Sequence, residues 1–164
     1  PHIRDHLRVT WNIRRLIDGA KTLDMDILGT EQYPRGLGPT VRELADRLGP
    51  LPAKTMFSCR ECWEIFEGLE SRGIHKLLLC GVETHVCVQQ TAHDLLAQGF
   101  RVYVAADAVG SRYQVDHEVA LRRMELAGAV LTTTESALFE WCIQAGNETF
   151  KAISRLARET PPSE

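Results

Sequence analysis

Long hydrophobic runs are missing from this 164-residue sequence. The longest clear one, Leu77-Leu78-Leu79-Cys80, falls far short of the roughly 20 apolar residues that a spanning helix needs. The first residues, Pro1-His2-Ile3-Arg4-Asp5-His6, carry no apolar signal-peptide core. Charge of one sign is also lacking. A formal net charge of -3 sets up no strong field, so neither nucleic acid nor an anionic membrane is an expected partner. Cysteine is too sparse for a disulfide-stapled module. Five of them (59, 62, 80, 87 and 142), an odd count in a chain this size, read as reduced thiols in a cytosol-like compartment. There is no internal repeat and no low-complexity tract.

What is present is an ordinary globular composition, 44% hydrophobic and 25% charged. The length suits one domain, spanning 1–164, able to bury roughly two thirds of its unfolded surface. Apolar residues at helical spacing from Val9 to Ala20 predict a helix over 5–21. Met25 to Thr30 reads as a short strand, followed by a turn-rich loop over 33–39. Thr40 and Glu43 form a candidate capping box for a short helix through Leu48. An extended piece from Lys54 to Phe57 leads to a helix over 60–72 that stops at Gly73.

The second half alternates regularly. Lys76–Val82 is expected as a buried strand, 85–98 as a helix ending at Gly99, and Arg101–Ala106 as a strand ending at Asp107. Helix 115–127 closes at Gly128, Ala129–Thr133 is a last strand, and helical segments follow around 135–144 and 147–158. Short apolar strands alternating with helices predict a three-layer α/β/α sandwich around a parallel, Rossmann-like sheet.

In such sheets ligands bind beyond the carboxyl ends of the strands, which points to the residues just after Val82. Thr84 suits an N-cap, placing Cys87 in a first helical turn, where the macrodipole and free N–H groups favour a thiolate. The same N–H groups suit the oxygen of a tetrahedral intermediate. The competing reading is a small core filler, the commonest role of a helical cysteine. His85 lies two residues away and faces the opposite side of a helix, so it makes a poor base for Cys87. His93 and His117 read as solvated helix residues.

The string Gly81-Val82-Glu83-Thr84-His85-Val86-Cys87-Val88-Gln89-Gln90-Thr91 resembles the nucleophile segment of the isochorismatase-like cysteine hydrolases. That superfamily includes isochorismatases, nicotinamidases, N-carbamoylsarcosine amidohydrolases and YcaC-type hydrolases. Leu95 to Phe100, Ala106-Asp107-Ala108, Ser111-Arg112, Ala127-Gly128-Ala129 and Thr132 to Glu135 are similar as well. Thr30 to Pro34 and Gly36-Leu37-Gly38 look closest to the isochorismatase domain-containing proteins. The resemblance implies a cysteine–lysine–aspartate triad, with Cys87 attacking an amide-like carbon and Lys54, in Ala53-Lys54-Thr55-Met56-Phe57-Ser58, favouring charged forms beside it. It also implies a cis peptide at Val82–Glu83 and an oxyanion hole formed by the backbone N–H groups of Glu83 and Cys87. The implied partner is a small-molecule substrate, with no cofactor and with assembly into a homo-oligomer, at least a dimer.

Two departures stand out. Nicotinamidase-type members bind a metal through an aspartate and histidines, whereas no histidine lies between His6 and His75, so no such metal site is expected. The family's aspartate sits in an Asp-x-Gln pattern ending a first, central strand, and that strand has no match in this sequence. Asp5, Asp18, Asp24 and Asp26 do not fit the pattern, and we expect the natural polypeptide to carry strand and aspartate ahead of Pro1. Two other readings compete. Cys59-Arg60-Glu61-Cys62 is a C-x-x-C that suggests thiol redox chemistry, against the alternative that both cysteines pack beneath Trp63 and Phe66. The other is an inert scaffold that keeps the fold. Tyr33, Phe57, Trp63 and Tyr113 are candidate pocket linings.

Overall fold

A computed structural model of the chain describes residues 3–163. Its first helix, α1 (His6–Thr22), buries Val9, Ile13, Leu16, Ile17 and Ala20 along one stripe. The predicted strand at Met25–Thr30 does not form. Only Glu31–Gln32 (β1) pairs, in parallel with Ala53–Lys54 (β2). A strand is stabilised by its ladder, and residues 25–30 find no partner among the described residues; Met25 and Leu28 stay exposed. Between β1 and β2 lie a single helical turn, α2 (Pro34–Leu37), and α3 (Arg42–Leu48). The expected capping box is absent because the Thr40 backbone N–H donates to the Glu31 carboxylate instead, and α3 begins at Val41 without a side-chain cap.

The helix expected over 60–72 is two short 3₁₀ segments, Cys59–Ile65 and Glu70–Arg72. Gly68 and Gly73, both in the left-handed region, break the run that the apolar spacing suggested. Beyond them the alternation holds: β3 (Lys76–Val82), a π turn at Thr84–Val88, α4 (Gln89–Ala97), β4 (Arg101–Gly110), α5 (Gln114–Leu126), β5 (Val130–Thr132), α6 (Thr134–Cys142) and α7 (Glu148–Ala157). β4 runs through Asp107 rather than ending there, because the pairing with β3 resumes after an irregularity at Leu79/Gly81.

β3, β4 and β5 form a parallel sheet in that order, separate from β1–β2. Its two faces are covered as a three-layer sandwich requires. On one side Val102 and Val104 of β4 pack with Val88, Ala92 and Leu95 before and on α4, Met124 of α5, and Phe66 and Leu69. On the other, Ala105 and Ala108 meet the apolar stripe of α1, Ala137 of α6 and Leu44 of α3. Each buried Val, Leu, Ile, Phe or Met among them contributes about 1.5–3 kcal/mol, and each alanine methyl less. Where a single sheet was expected there are two, and β3 is not the buried strand predicted. Its edge away from β4 pairs with no strand among the described residues, which leaves Cys80 and Val82 exposed. No described helix is long and apolar enough to cross a membrane.

Candidate active site

β1 and β2 run parallel to each other, as do β3, β4 and β5, and the Gln32–Cys87 contact brings the carboxyl ends of β1 and β3 together. Gln32 ends β1 and Lys54 ends β2, directly opposite each other in the ladder. Cys87 lies in the π turn that follows β3. Such turns widen a helix by one residue per turn and recur at functional sites.

Lys54 is 3% exposed, an unusual place for an ammonium, and its three donors are all used. Nζ donates to Phe57 O at 2.7 Å, to Met56 O at 3.1 Å and to the Gln32 side-chain oxygen. That same oxygen, Gln32 Oε1, lies 3.8 Å from Cys87 Sγ as an acceptor for its thiol. One carboxamide thus bridges the lysine and the cysteine. It is held in turn by Nε2 donating to Thr55 O at 2.8 Å.

Burial pushes the Cys87 thiol above its ordinary value. The nearby charge of the Lys54 ammonium and, less strongly, the Glu83 backbone N–H pull the other way without cancelling it. The sequence led us to expect a net lowering by the helix terminus. Desolvation in this half-buried position outweighs it. The Val82–Glu83 peptide bond is cis, as the resemblance implies.

Thr84 does not cap the helix. It is fully buried, and its hydroxyl pairs with His117 Nδ1 at 3.0 Å. His117 is therefore not the solvated helix residue expected, and its burial lowers its pKa. His85 faces away from Cys87, as its spacing suggested, with Nδ1 at 3.0 Å from the buried Ser111 hydroxyl and Nε2 3.9 Å from Asp116. Glu83 is held by the Arg112 backbone N–H and guanidinium. The segment between β3 and Cys87 is thus anchored at Glu83, Thr84 and His85 by residues from the β4–α5 region.

Other expectations resolve differently. Asp18 pairs with Arg14 and Arg47, Asp26 with Arg72 and Asp5 with Arg4, so none of these aspartates approaches Cys87. Asp94 accepts from Ser58, and Asp107 caps α6 through the Thr134 N–H and hydroxyl. Cys59 and Cys62 are free thiols with separate partners: Cys59 Sγ lies 3.3 Å from Thr30 Oγ1, and Cys62 Sγ faces Ala53 O at 4.0 Å. Burial raises the Cys62 pKa, the opposite of an activated redox thiol. Tyr33, Phe57 and Tyr113 are exposed, while Trp63 stacks on Phe66 at 5.2 Å and belongs to the core. No three His, Cys, Asp or Glu side chains converge as a metal site among the described residues.

Gln32 is the residue that sequence reasoning missed. Its signal was a polar side chain at a strand's carboxyl end, paired in parallel register with the lysine already singled out. Replacing it by glutamate sets an anion against the Cys87 sulfur, partly neutralised by Lys54. The expected outcome for Gln32→Glu is an alkylation rate of Cys87 by iodoacetamide about tenfold lower at pH 8, read by peptide mass spectrometry.

A family model described as the isochorismatase domain matches residues 2–136. Isochorismatase domain-containing protein 2A of Mus musculus is 44% identical over 150 residues, covering 90% of this chain and 71% of that protein. The solved MAR1 ribonuclease of Caenorhabditis elegans superposes with a TM-score of 0.88 at 38% identity, over 98% of this chain and 84% of its own. The ycaC gene product of Escherichia coli, described as an octameric hydrolase of unknown specificity, superposes with a TM-score of 0.79 at 25% identity, over 95% of this chain and 78% of its own.

Proposed function

This chain belongs to the isochorismatase domain family, and from that premise we propose that it is a cysteine hydrolase acting on a small amide-like substrate through Cys87. The observation that carries the reading is the convergence of Lys54, Gln32 and Cys87 at the carboxyl ends of β1, β2 and β3. A buried ammonium next to a half-buried thiol costs desolvation and adds nothing to core packing. Its use is to hold negative charge on sulfur.

For a primary amide the chemistry runs in two steps. The Cys87 thiol passes its proton to solvent water, and the thiolate attacks the carbonyl carbon, forming a C–S bond as the C=O π pair moves onto oxygen. The oxygen of the tetrahedral intermediate is held by the backbone N–H groups of Glu83 and Cys87. The C–N bond then breaks, the leaving nitrogen takes up the proton as ammonia departs, and a thioester remains. Water hydrolyses the thioester, releasing the carboxylic acid and restoring the thiol. Lys54 stabilises the thiolate in the first step and as the leaving group in the last. The resemblance assigns the proton transfer to an aspartate. Gln32, a neutral carboxamide, positions Lys54 and Cys87 and relays no proton between them.

An RNA substrate, suggested by the name of the C. elegans neighbour, calls for cations along the approach to the nucleophile. Beside Cys87 lie the neutral Gln32 and the buried Lys54, whose donors are all used, while Glu83 of the same segment is paired with Arg112. A small neutral substrate suits this setting better. The octameric E. coli neighbour supports self-association of the chain. The test is ammonia release from a panel of small primary amides and carbamoyl compounds, with ribonuclease activity measured in parallel. Turnover of a panel member supports the proposal. Ribonuclease activity that survives loss of Cys87, or no turnover with no covalent adduct at Cys87, overturns it.

A further inference from the structure

We propose that the outward face of α5 is the seam along which two copies of this chain pair antiparallel. The helix is apolar on two sides. Ala120 and Met124 point into the core, while Val115, Val119 and Leu126 on the opposite side are 63%, 53% and 78% exposed. A helix that only caps a sheet shows one apolar stripe and a polar opposite face. Val115, Val119, Arg122 and Leu126 recur at steps of four, three and four residues, the spacing of a helix–helix seam, with the aliphatic stem of Arg122 filling the third position.

The charges beside this stripe select the occupant. The first half of α5 carries Asp116 and Glu118, and the second half carries Arg122 and Arg123, with Glu125 the one acid among them. Among the described residues neither arginine forms an ion pair, and Asp116 has only His85 at 3.9 Å. Two copies related by a twofold axis across Val119 lie antiparallel, and each acidic half then meets the other's basic half, Asp116 of one copy against Arg123 of the second. A parallel pair would set like charges together. A surface complementary to itself under a twofold operation is the requirement of an isologous dimer. The same arrangement brings Leu126 of one copy to the exposed Tyr113 of the other, lengthening the apolar seam.

The seam also bears on the site. The inner side of α5 holds His117 against Thr84, three residues before Cys87, so pairing along the outer side stiffens the helix that anchors the nucleophile segment.

Sedimentation velocity of the intact protein tests the proposal, with circular dichroism confirming that each variant is folded. The wild type is expected to sediment as a dimer or an even multiple of it. Val119→Glu is expected to weaken association at least about a hundredfold. Asp116→Arg and Arg123→Glu should each weaken it about tenfold, and the two together should restore it to within about threefold of wild type. A monomeric wild type, an unchanged assembly in Val119→Glu, or charge reversals that add instead of compensating would overturn the seam. None of these outcomes touches the assignment of Cys87, which is read separately by its covalent chemistry.

Discussion

Cys87→Ser is expected to lower kcat/KM for any amide that the protein turns over by at least about 10³-fold, with the fold intact by circular dichroism. The substitution exchanges sulfur for oxygen in nearly the same volume. A thiol in this setting reaches its anion with help from Lys54 and the Glu83 N–H, but a serine hydroxyl needs a neighbouring general base. The two histidines tied to the nucleophile segment are not free to act as one. His85 is engaged by Ser111 and His117 by Thr84, and neither ring contacts residue 87. Activity remaining above a tenth of wild type would show that the reaction does not pass through this sulfur.

The second large effect is expected from Lys54→Met, which keeps the length and apolar stem but removes the ammonium. Without that charge the remaining influences on Cys87 are burial and, less so, Cys59, which raise its pKa, and the Glu83 N–H, which lowers it by less than burial raises it. The sign follows directly. The thiolate is the reactive form, its population grows as pH rises through the Cys87 pKa, and a higher pKa leaves less of it at any given pH. In the wild type, where burial already raises the thiol, activity should climb on the alkaline side. In Lys54→Met that limb should move up by at least about one pH unit, with kcat/KM about 10²-fold lower at pH 8 and partial recovery at higher pH. The variant should also lose about 1–3 kcal/mol of stability, since Met56 O, Phe57 O and Gln32 Oε1 lose their donor. Destabilisation alone lowers activity without moving the limb, so the pH profile separates the electrostatic role from a structural one.

The parts of the fold that the sequence disclosed are those governed by local rules. α1, α4, α5, α6 and α7 follow from apolar residues at helical spacing, and Gly99 and Gly128 mark the turns that end α4 and α5. What escaped depends on distant partners. Residues 25–30 have strand-like composition, yet a strand exists only where a neighbour completes its ladder. Thr84 suits a cap by every local criterion, but its hydroxyl is claimed by His117, 33 positions along the chain. Lys76–Val82 is apolar enough for a buried strand and lies half open because one edge has no described neighbour. The helix expected over 60–72 is instead two 3₁₀ segments with Gly68, in the left-handed region, between them.

The site divides in the same way. The place of Cys87 after a strand's carboxyl end was legible from topology, whereas Lys54, 33 residues earlier, came only through the family resemblance. Nothing in the spacing announced that β2 would bring its ammonium to that sulfur. Gln32 required the register of β1 against β2, which no single-sequence pattern supplies. The protonation state of Cys87 turned on burial depth, also a tertiary property, and so the net direction of its shift differed from what a helix terminus suggests.

Cysteine exposure alone points elsewhere. Cys80 is the exposed thiol of the five, so a general thiol reagent labels it readily. The most direct test is therefore acyl transfer, not general thiol reactivity: the protein is mixed with p-nitrophenyl acetate at pH 8, the early p-nitrophenolate release is timed, and the acetyl group is mapped by peptide mass spectrometry. The expected result is a burst of one equivalent per protomer with the acetyl group on Cys87, absent in Cys87→Ser and slowed in Lys54→Met. Slow release without a burst, or acetyl groups scattered over Cys80, Cys59 and surface amines, would contradict the assignment of Cys87 as the nucleophile.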